Sequence, residues 1–270
     1  MYTIIAPTNF SEDSIHAVNY AADMALNLNA ELVILHVVQT PFPYDVPLTQ
    51  YEYETMLQDA EQELELLKKD LEIRTGGEIA ISIKAVLSTL ENEIVDLAEE
   101  KKPFIIVLGP ERESFAERFF MGSNTFSVIK NLHYPVIVVP KNAIFRHIRR
   151  IGLATDLNDV NEISVEAIRM LVEVFNANLD IIHVCKNAED GTIAKACLTA
   201  LREKLQEFDP EVHIILNEHV EKALEDYSRL NHEDMLVVIP RERSITNSLL
   251  HKSHTKQMAM HPAVPLLAIS

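Results

Sequence analysis

Residues 7–9, Pro-Thr-Asn, and residues 154–156, Ala-Thr-Asp, stand 147 positions apart and open a register that continues along the chain. The same offset aligns Asn29-Ala30 with Asn176-Ala177, Leu32 with Leu179, and His36-Val37 with His183-Val184. Farther on the offset falls to 130, pairing Pro110 with Pro240, Ser114 with Ser244, Ser123 with Ser253, Thr125 with Thr255 and Pro135 with Pro265. One register held at both ends of a unit identifies a duplication, here with a second copy 17 residues shorter in its middle. A repeat on this scale constrains the fold before any single element is read. The expected domains are residues 1–141 and 142–270, joined near Pro140 to Ile148.

Within each copy, short apolar runs alternate with helical periodicity. In the first copy Thr3–Ala6, Leu32–Val38, Ile79–Val86, Phe104–Leu108 and Val136–Val139 read as strands. Near-continuous Val, Ile and Leu runs of this kind suit strands covered on both faces. Ile15, Val18, Ala22 and Ala25 recur at spacings of three and four behind an expected N-cap at Ser11. Ile163, Ala167, Met170 and Val174 echo them behind Asn158. The expected fold class is α/β: two tandem doubly wound, Rossmann-like domains, each a five-stranded parallel sheet flanked by four helices. Ligands in such sheets bind beyond the carboxyl ends of the strands, where the strand order reverses. That directs attention to residues 7–11, 37–47 and 109–125 and to their counterparts.

Composition narrows the function. The 270 residues are 47% apolar and 24% charged, enough to bury two ordinary cores. Net charge is −17, a field that repels nucleic acid and anionic membrane, so neither is expected as a partner. Residues 1–140 carry 9 bases against 22 acids, so most of the excess lies in the first copy. The start of the sequence lacks the basic and apolar pattern of a signal peptide, and no apolar run approaches the ~20 residues of a membrane span. Cys185 and Cys197 are too few for a disulfide framework. The expected location is the cytoplasm.

The chain has six glycines, and two of them mark the chemistry. Val107-Leu108-Gly109-Pro110-Glu111-Arg112 is followed, nine residues later, by Gly122-Ser123-Asn124-Thr125. Glycine lets backbone approach a ligand closely, and free N–H groups with hydroxyls at a helix N-terminus hold phosphate. With these residues the sequence resembles the universal stress protein family in its tandem two-domain form, over essentially the whole chain. The family's nucleotide-binding members carry a glycine, two residues, a second glycine, nine residues, then Gly-Ser and a further hydroxyl residue. They also end the first strand in Thr-Asp. The resemblance implies a stress-response regulatory protein that binds ATP or a related adenine nucleotide, with Mg, in the first copy. Gly109, Gly122, Ser123, Asn124 and Thr125 would face the phosphates, while Pro7, Thr8, Asn9 and Val37 would border adenine and ribose.

Two departures matter in the first copy. Asn9 stands where the family has Asp, and Arg112 replaces the second glycine, either crowding the loop or supplying a cation to the phosphates. The second copy keeps Asp156 but has lost the loop glycines: Ile239, Glu242 and Lys252 take their places ahead of Ser253-His254-Thr255-Lys256. A β-branched residue does not readily adopt the backbone angles open to glycine. The alternative expectation is therefore a nucleotide-free scaffold working through protein contacts, in which Gly109 and Gly122 merely turn the chain and Ser123 caps a helix. Dedicated catalysis is not expected. Neither a P-loop nor an early G-x-G-x-x-G nor a G-x-S-x-G elbow is present, and in Asp156-Leu157-Asn158-Asp159 the second acid of a phosphotransferase pair is missing.

The remaining candidates read more simply as structure. His36 and His183, at equivalent strand ends, are expected to pack rather than to ligate. His251, His254 and His261 lack acidic or Cys companions for a metal site. In the insertion of the first copy, Pro41, Pro43 and Pro47 precede a helical stretch from about Tyr51 to Leu71. Its stripe of Leu57, Ala60, Leu64, Leu67 and Leu71 is either a partner-docking seam or, the preferred reading, the face that packs on its own sheet. Arg146, Arg149 and Arg150 at the junction are expected to be solvated or to complement the acidic first copy. The last strands, Val136–Val139 and Val264–Ile269, are sheet-edge candidates. In the resembled family such edges pair across a two-fold axis, which implies a pseudo-dimer within this chain and leaves a homodimer open.

Overall fold

The computed structural model describes residues 1–38, 49–110, 132–157, 164–239, 258 and 263–269. Ten strands run in chain order: β1 (Thr3–Pro7), β2 (Glu31–Val38), β3 (Ile81–Leu87), β4 (Ile105–Leu108), β5 (Val136–Val138), β6 (Arg150–Ala154), β7 (Asn178–Cys185), β8 (Glu211–Leu216), β9 (Met235–Val238) and β10 (Leu266–Ala268). The described helices are α1 (Glu12–Leu28), α2 (Gln50–Arg74), α3 (Leu90–Lys101), α4 (Val165–Phe175), α5 (Ala188–Lys204) and α6 (Val220–Leu230).

The strands form one sheet in the order β3-β2-β1-β4-β5-β10-β9-β6-β7-β8. Each half is parallel and doubly wound, reversing direction of travel between β1 and β4 and again between β6 and β9. The final strands are not edges, because β5 and β10 pair antiparallel, Leu266 with Val138, Leu267 with Ile137 and Ala268 with Val136. β1 and β5 start at Thr3 and Val136 as expected, while β2, β3, β4 and β10 start one or two residues from the sequence pattern. Ile79, read as strand, is buried just ahead of β3 and supplies packing rather than ladder bonds.

Side chains alternate between two cores. One face packs Ile4, Ala6, Leu32 and Ile34 with α1, α2 and α4, and the other packs Ile5, Val33, Leu35 and Ile106 with α3 and α6. The first core runs across both halves. Phe104 and Phe175 meet with ring centroids 6.1 Å apart, and Tyr20 meets Phe145 edge-on at 5.2 Å.

Helix ends obey their local chemistry. Ser11 accepts the Ser14 N–H as the N-cap of α1, while Asn29 closes that helix in the left-handed region at φ 49°. Asn176, at the equivalent place after α4, has the same φ of 49°. Asparagine tolerates this conformation better than most residues, which accounts for its recurrence at both sites. Asn158, the expected cap, lies outside the described residues; α4 as described begins at Val165, with Ser164 accepting the Ala167 N–H. Its buried face is Ile168, Leu171, Val172 and Phe175, whereas Met170 of the expected stripe is exposed. Arg150 is corrected, since it opens β6 and binds the buried Asp180 of its own half rather than lying in a solvated junction.

Helix α2 starts from a complete capping box, Thr49 with Glu52, and Arg74 near its end makes paired bonds of 2.7 and 2.6 Å to Asp23 of α1. Its stripe faces inward, with Ala60 buried and Leu64 and Leu71 buried in the first core. Leu64→Ala is therefore expected to cost about 2–5 kcal/mol in chemical denaturation. Leu66→Ala, at a position 64% exposed, should stay within about 0.5 kcal/mol. Equal, small effects at both positions would contradict the docking of α2.

Candidate functional site

At the reversal point of the first half, the chain leaving β1 makes a compact polar turn before α1. Thr8 is buried, and its Oγ1 accepts the Phe10 N–H at 3.0 Å. Asn9 Oδ1 accepts the Ser11 N–H at 3.1 Å. The Thr8, Ser11 and Ser14 hydroxyls then close a small network, with 3.0 Å between Thr8 and Ser14 and 3.2 Å between Ser11 and Ser14. Such short polar side chains satisfy backbone donors in tight turns, and here they allow Phe10 to take a left-handed φ of 59°. Its ring then lies 4.6 Å from that of His36 at the end of β2. His36 donates from Nδ1 to the Thr8 carbonyl at 2.7 Å.

The second half repeats this construction. Leu157 has φ 61°, its N–H bonds to Thr155 Oγ1 at 3.1 Å, and His183 Nδ1 donates to the Thr155 carbonyl at 2.9 Å. The two histidines therefore hold the β1 and β6 turns against β2 and β7. The packing reading of His36 and His183 fits this geometry.

Pro7, the last residue of β1, pairs with Leu35, and Val37 is buried on the same face as Leu35, in the α3 core. Gly109 follows β4 and lies against the first turn of α1. A Cβ on it would sit 2.8 Å from the Asp13 carbonyl oxygen and 3.1 Å from the Asp13 carbonyl carbon. Close backbone packing thus demands glycine here even without a ligand. Asp13 is itself buried, and Lys141, just beyond β5, places its Nζ 3.6 Å from Asp13 Oδ2. The carboxyl ends of β1, β4 and β5 consequently converge on the N-terminus of α1, with Thr8, Asn9, Ser14, Gly109 and Lys141 around it. The structure brings Thr8, Asn9 and Gly109 together; Arg112, Gly122, Ser123, Asn124 and Thr125 lie outside the described residues.

Ser14 and Lys141 were not picked out by the sequence. Ser14 sits in a helical stretch without a motif, and Lys141 is far from it in the chain. In the second half, Ile239 replaces Gly109 and packs against the core. Glu242, Lys252 and Ser253 to Lys256 lie outside the described residues, as do His251, His254, His261 and the three prolines of the insertion. No described helix is long and apolar enough to cross a membrane.

The model of the universal stress protein family matches residues 1–140. A universal stress protein of Methanocaldococcus jannaschii is 34% identical over 139 residues, covering 51% of this chain and 81% of that protein. A second from the same organism is 25% identical over 157 residues, covering 51% of this chain and 94% of its own length. Along the full length, the chain is similar to the crystal structure of a universal stress protein from Archaeoglobus fulgidus, with TM-score 0.75 and 18% identity. That alignment covers 99% of this chain and 96% of the other. Likeness at that identity speaks for the fold.

The packing of Gly109 makes a prediction independent of any ligand. Gly109→Ala should destabilise the ligand-free chain by about 1–3 kcal/mol in chemical denaturation, the usual cost of forcing a methyl group into a filled space. An unchanged midpoint would show that the α1 turn yields freely.

Proposed function

The chain belongs to the universal stress protein family, and from that premise we propose that it is a stress-response regulatory protein binding one adenine nucleotide, ATP or a relative with Mg, in its first half. The observation that carries this reading is the convergence of the Thr8–Asn9 turn, Gly109 and the α1 N-terminus at the reversal point of the sheet, where doubly wound sheets take their ligands. Pro7, Thr8, Asn9 and Val37 would border the nucleoside. Gly109, Gly122, Ser123, Asn124 and Thr125 would face the phosphates, with Arg112 beside them as a cation. Helix N-termini and clustered N–H groups suit the phosphate oxygens of such a ligand. The first half is acidic, so a phosphate chain arriving as its Mg complex carries less charge to be repelled.

The role is binding rather than catalysis. His36 donates from Nδ1 to the Thr8 carbonyl, and in this reading it positions the turn. The second half, with Ile239 at the glycine position, is read as empty of nucleotide. Calorimetric titration with ATP–Mg should give one site per chain, and Gly122→Val should abolish the heat. No heat with the wild-type protein would overturn the reading.

A nucleotide-free scaffold is the second reading, favoured by the fact that Gly109 is explained by contact with Asp13 alone. Since α2 supplies core residues, its role as a docking surface is tested by charge reversal at exposed Glu61, Glu65 and Glu72 rather than by deletion. Retention of every partner by that variant would count against the scaffold reading.

A further inference from the structure

The strand-start end of the second half contains a buried charged cluster with no counterpart in the first. Arg150 at the head of β6 binds Asp180 Oδ2 through Nε at 2.9 Å and through its terminal nitrogen at 2.8 Å. The Tyr227 hydroxyl of α6 donates to the same oxygen at 3.4 Å. Glu233, just ahead of β9, is 5% exposed and has its carboxyl wholly shielded from solvent. Arg150 Nε lies 3.5 Å from its Oε1, but that group is already engaged by Asp180. As a carboxylate, Glu233 has no hydrogen-bond donor for either oxygen among the described residues. As a carboxylic acid it has an acceptor beside it, because Asp180 Oδ2 and Glu233 Oε1 lie 2.9 and 3.5 Å from the same Arg150 nitrogen.

The first half serves as an internal control. By the 147 and 130 offsets, Arg150, Gly152, Asp180, Tyr227 and Glu233 correspond to Thr3, Ile5, Val33, Leu97 and Pro103. By strand register, Glu211 and His213 correspond to Ser82 and Lys84. The same backbone thus closes there over Ile5, Val33 and Leu97. Gly152 is the enabling change, since a Cβ at this strand position would lie 3.3 Å from Glu233 Oε2 and 2.8 Å from Ile182 Cδ1. A mid-strand glycine weakens a strand and marks close approach by another group. Buried ionic groups also stabilise less than an apolar replacement of similar volume. The second half therefore carries a costly arrangement that its twin omits.

We propose that Glu233 holds a proton that it shares with Asp180 at neutral pH, and that losing this proton in the alkaline range loosens the second half where it joins the first. The groups facing Glu233 are Arg150 from β6, Asp180 from β7, Tyr227 from α6 and its neighbour Asp234, with Glu211 and His213 of β8 flanking Arg150 and Asp180. One guanidinium serves this group of acids. Asp180, Glu211 and His213 bring ligand atoms within 4.8 Å of one another, as a metal site would. Arg150 nevertheless stands 2.8 Å from Asp180 and 3.9 Å from Glu211, so the chain already supplies the cation there. Burial, followed by Asp180, pushes the Glu233 carboxyl up to about 8, with Arg150 opposing. The junction is tied to this point, since Asp234 Oδ2 accepts the Arg149 and Arg150 N–H groups at 2.8 and 3.1 Å.

The sign follows from the raised folded-state value. Unfolded, Glu233 releases its proton near the ordinary glutamate value of 4.5; folded, it keeps it until about 8. Its contribution to stability is complete below the lower value and is lost as pH rises to the upper one. In urea denaturation of the full chain, the wild-type folding constant should fall on the order of a thousandfold relative to Glu233→Gln between about pH 5 and pH 9. Carbon-13 NMR of the wild-type side-chain carboxyls keeps the proposal testable if the variant does not fold, and should show Glu233 titrating near 8. Exchange of the Arg149 and Arg150 amides should accelerate above the same pH by more than base catalysis alone gives, and by more than in Glu233→Gln. Titration of Glu233 in the ordinary carboxylate range, or parallel stability profiles for the two proteins, would overturn the proposal.

Discussion

Val136, Ile137 and Val138 meet Ala268, Leu267 and Leu266 in an antiparallel seam only three residue pairs long, at the centre of a ten-stranded sheet. Each half would otherwise end in an open edge of buried apolar strand, an arrangement that invites pairing with other chains. Closing the two edges on one another joins the cores on one face into a continuous layer, with Phe104 of the first half against Phe175 of the second. The seam also fixes where the two crevices lie. Because the halves run antiparallel, the carboxyl ends of their strands sit at opposite ends of the sheet. Each half must therefore build its own site, and each can diverge without disturbing the other.

That independence is visible in what the repeat has kept. Thr8 and Thr155, Phe10 and Leu157, His36 and His183 form the same turn, with matching left-handed residues and matching bonds from histidine to a threonine carbonyl. The left-handed residue is Phe in one copy and Leu in the other, so backbone hydrogen bonding, not side-chain identity, preserves the shape. Beyond the turn the halves part. The first keeps Gly109 where a methyl group would strike Asp13, whereas the second has a partly buried Ile239 packed into its core. At the opposite end it is the second half that departs, exchanging apolar packing for Arg150, Asp180 and Glu233.

The duplication, the parallel doubly wound halves and most strands were legible in the sequence, because buried strands are unbroken apolar runs and a repeat shows as constant offsets. The inward face of α2 was legible for the same reason, as a regular stripe from Ala60 to Leu71. The Ser164 cap of α4 was not legible: Asn and Ser are both good capping residues, so residue type alone does not single it out. Asp180 and Glu233 were also hidden. Residues 53 positions apart carry no sequence signal of contact, and an acid on a strand gives no sign that an arginine and a glycine elsewhere make room for it. Within the candidate site, the glycine was found from a motif, but its contact with the Asp13 carbonyl required the packing of α1.

The central claim is that the two crevices differ, the first taking an adenine nucleotide and the second none. A high-resolution density map of crystals grown with ATP and Mg tests it most directly. The account predicts nucleotide density between the Thr8–Asn9 turn and the chain following Gly109, with none beside Thr155 and Ile239. Density in both crevices, or beside Ile239 alone, would contradict it.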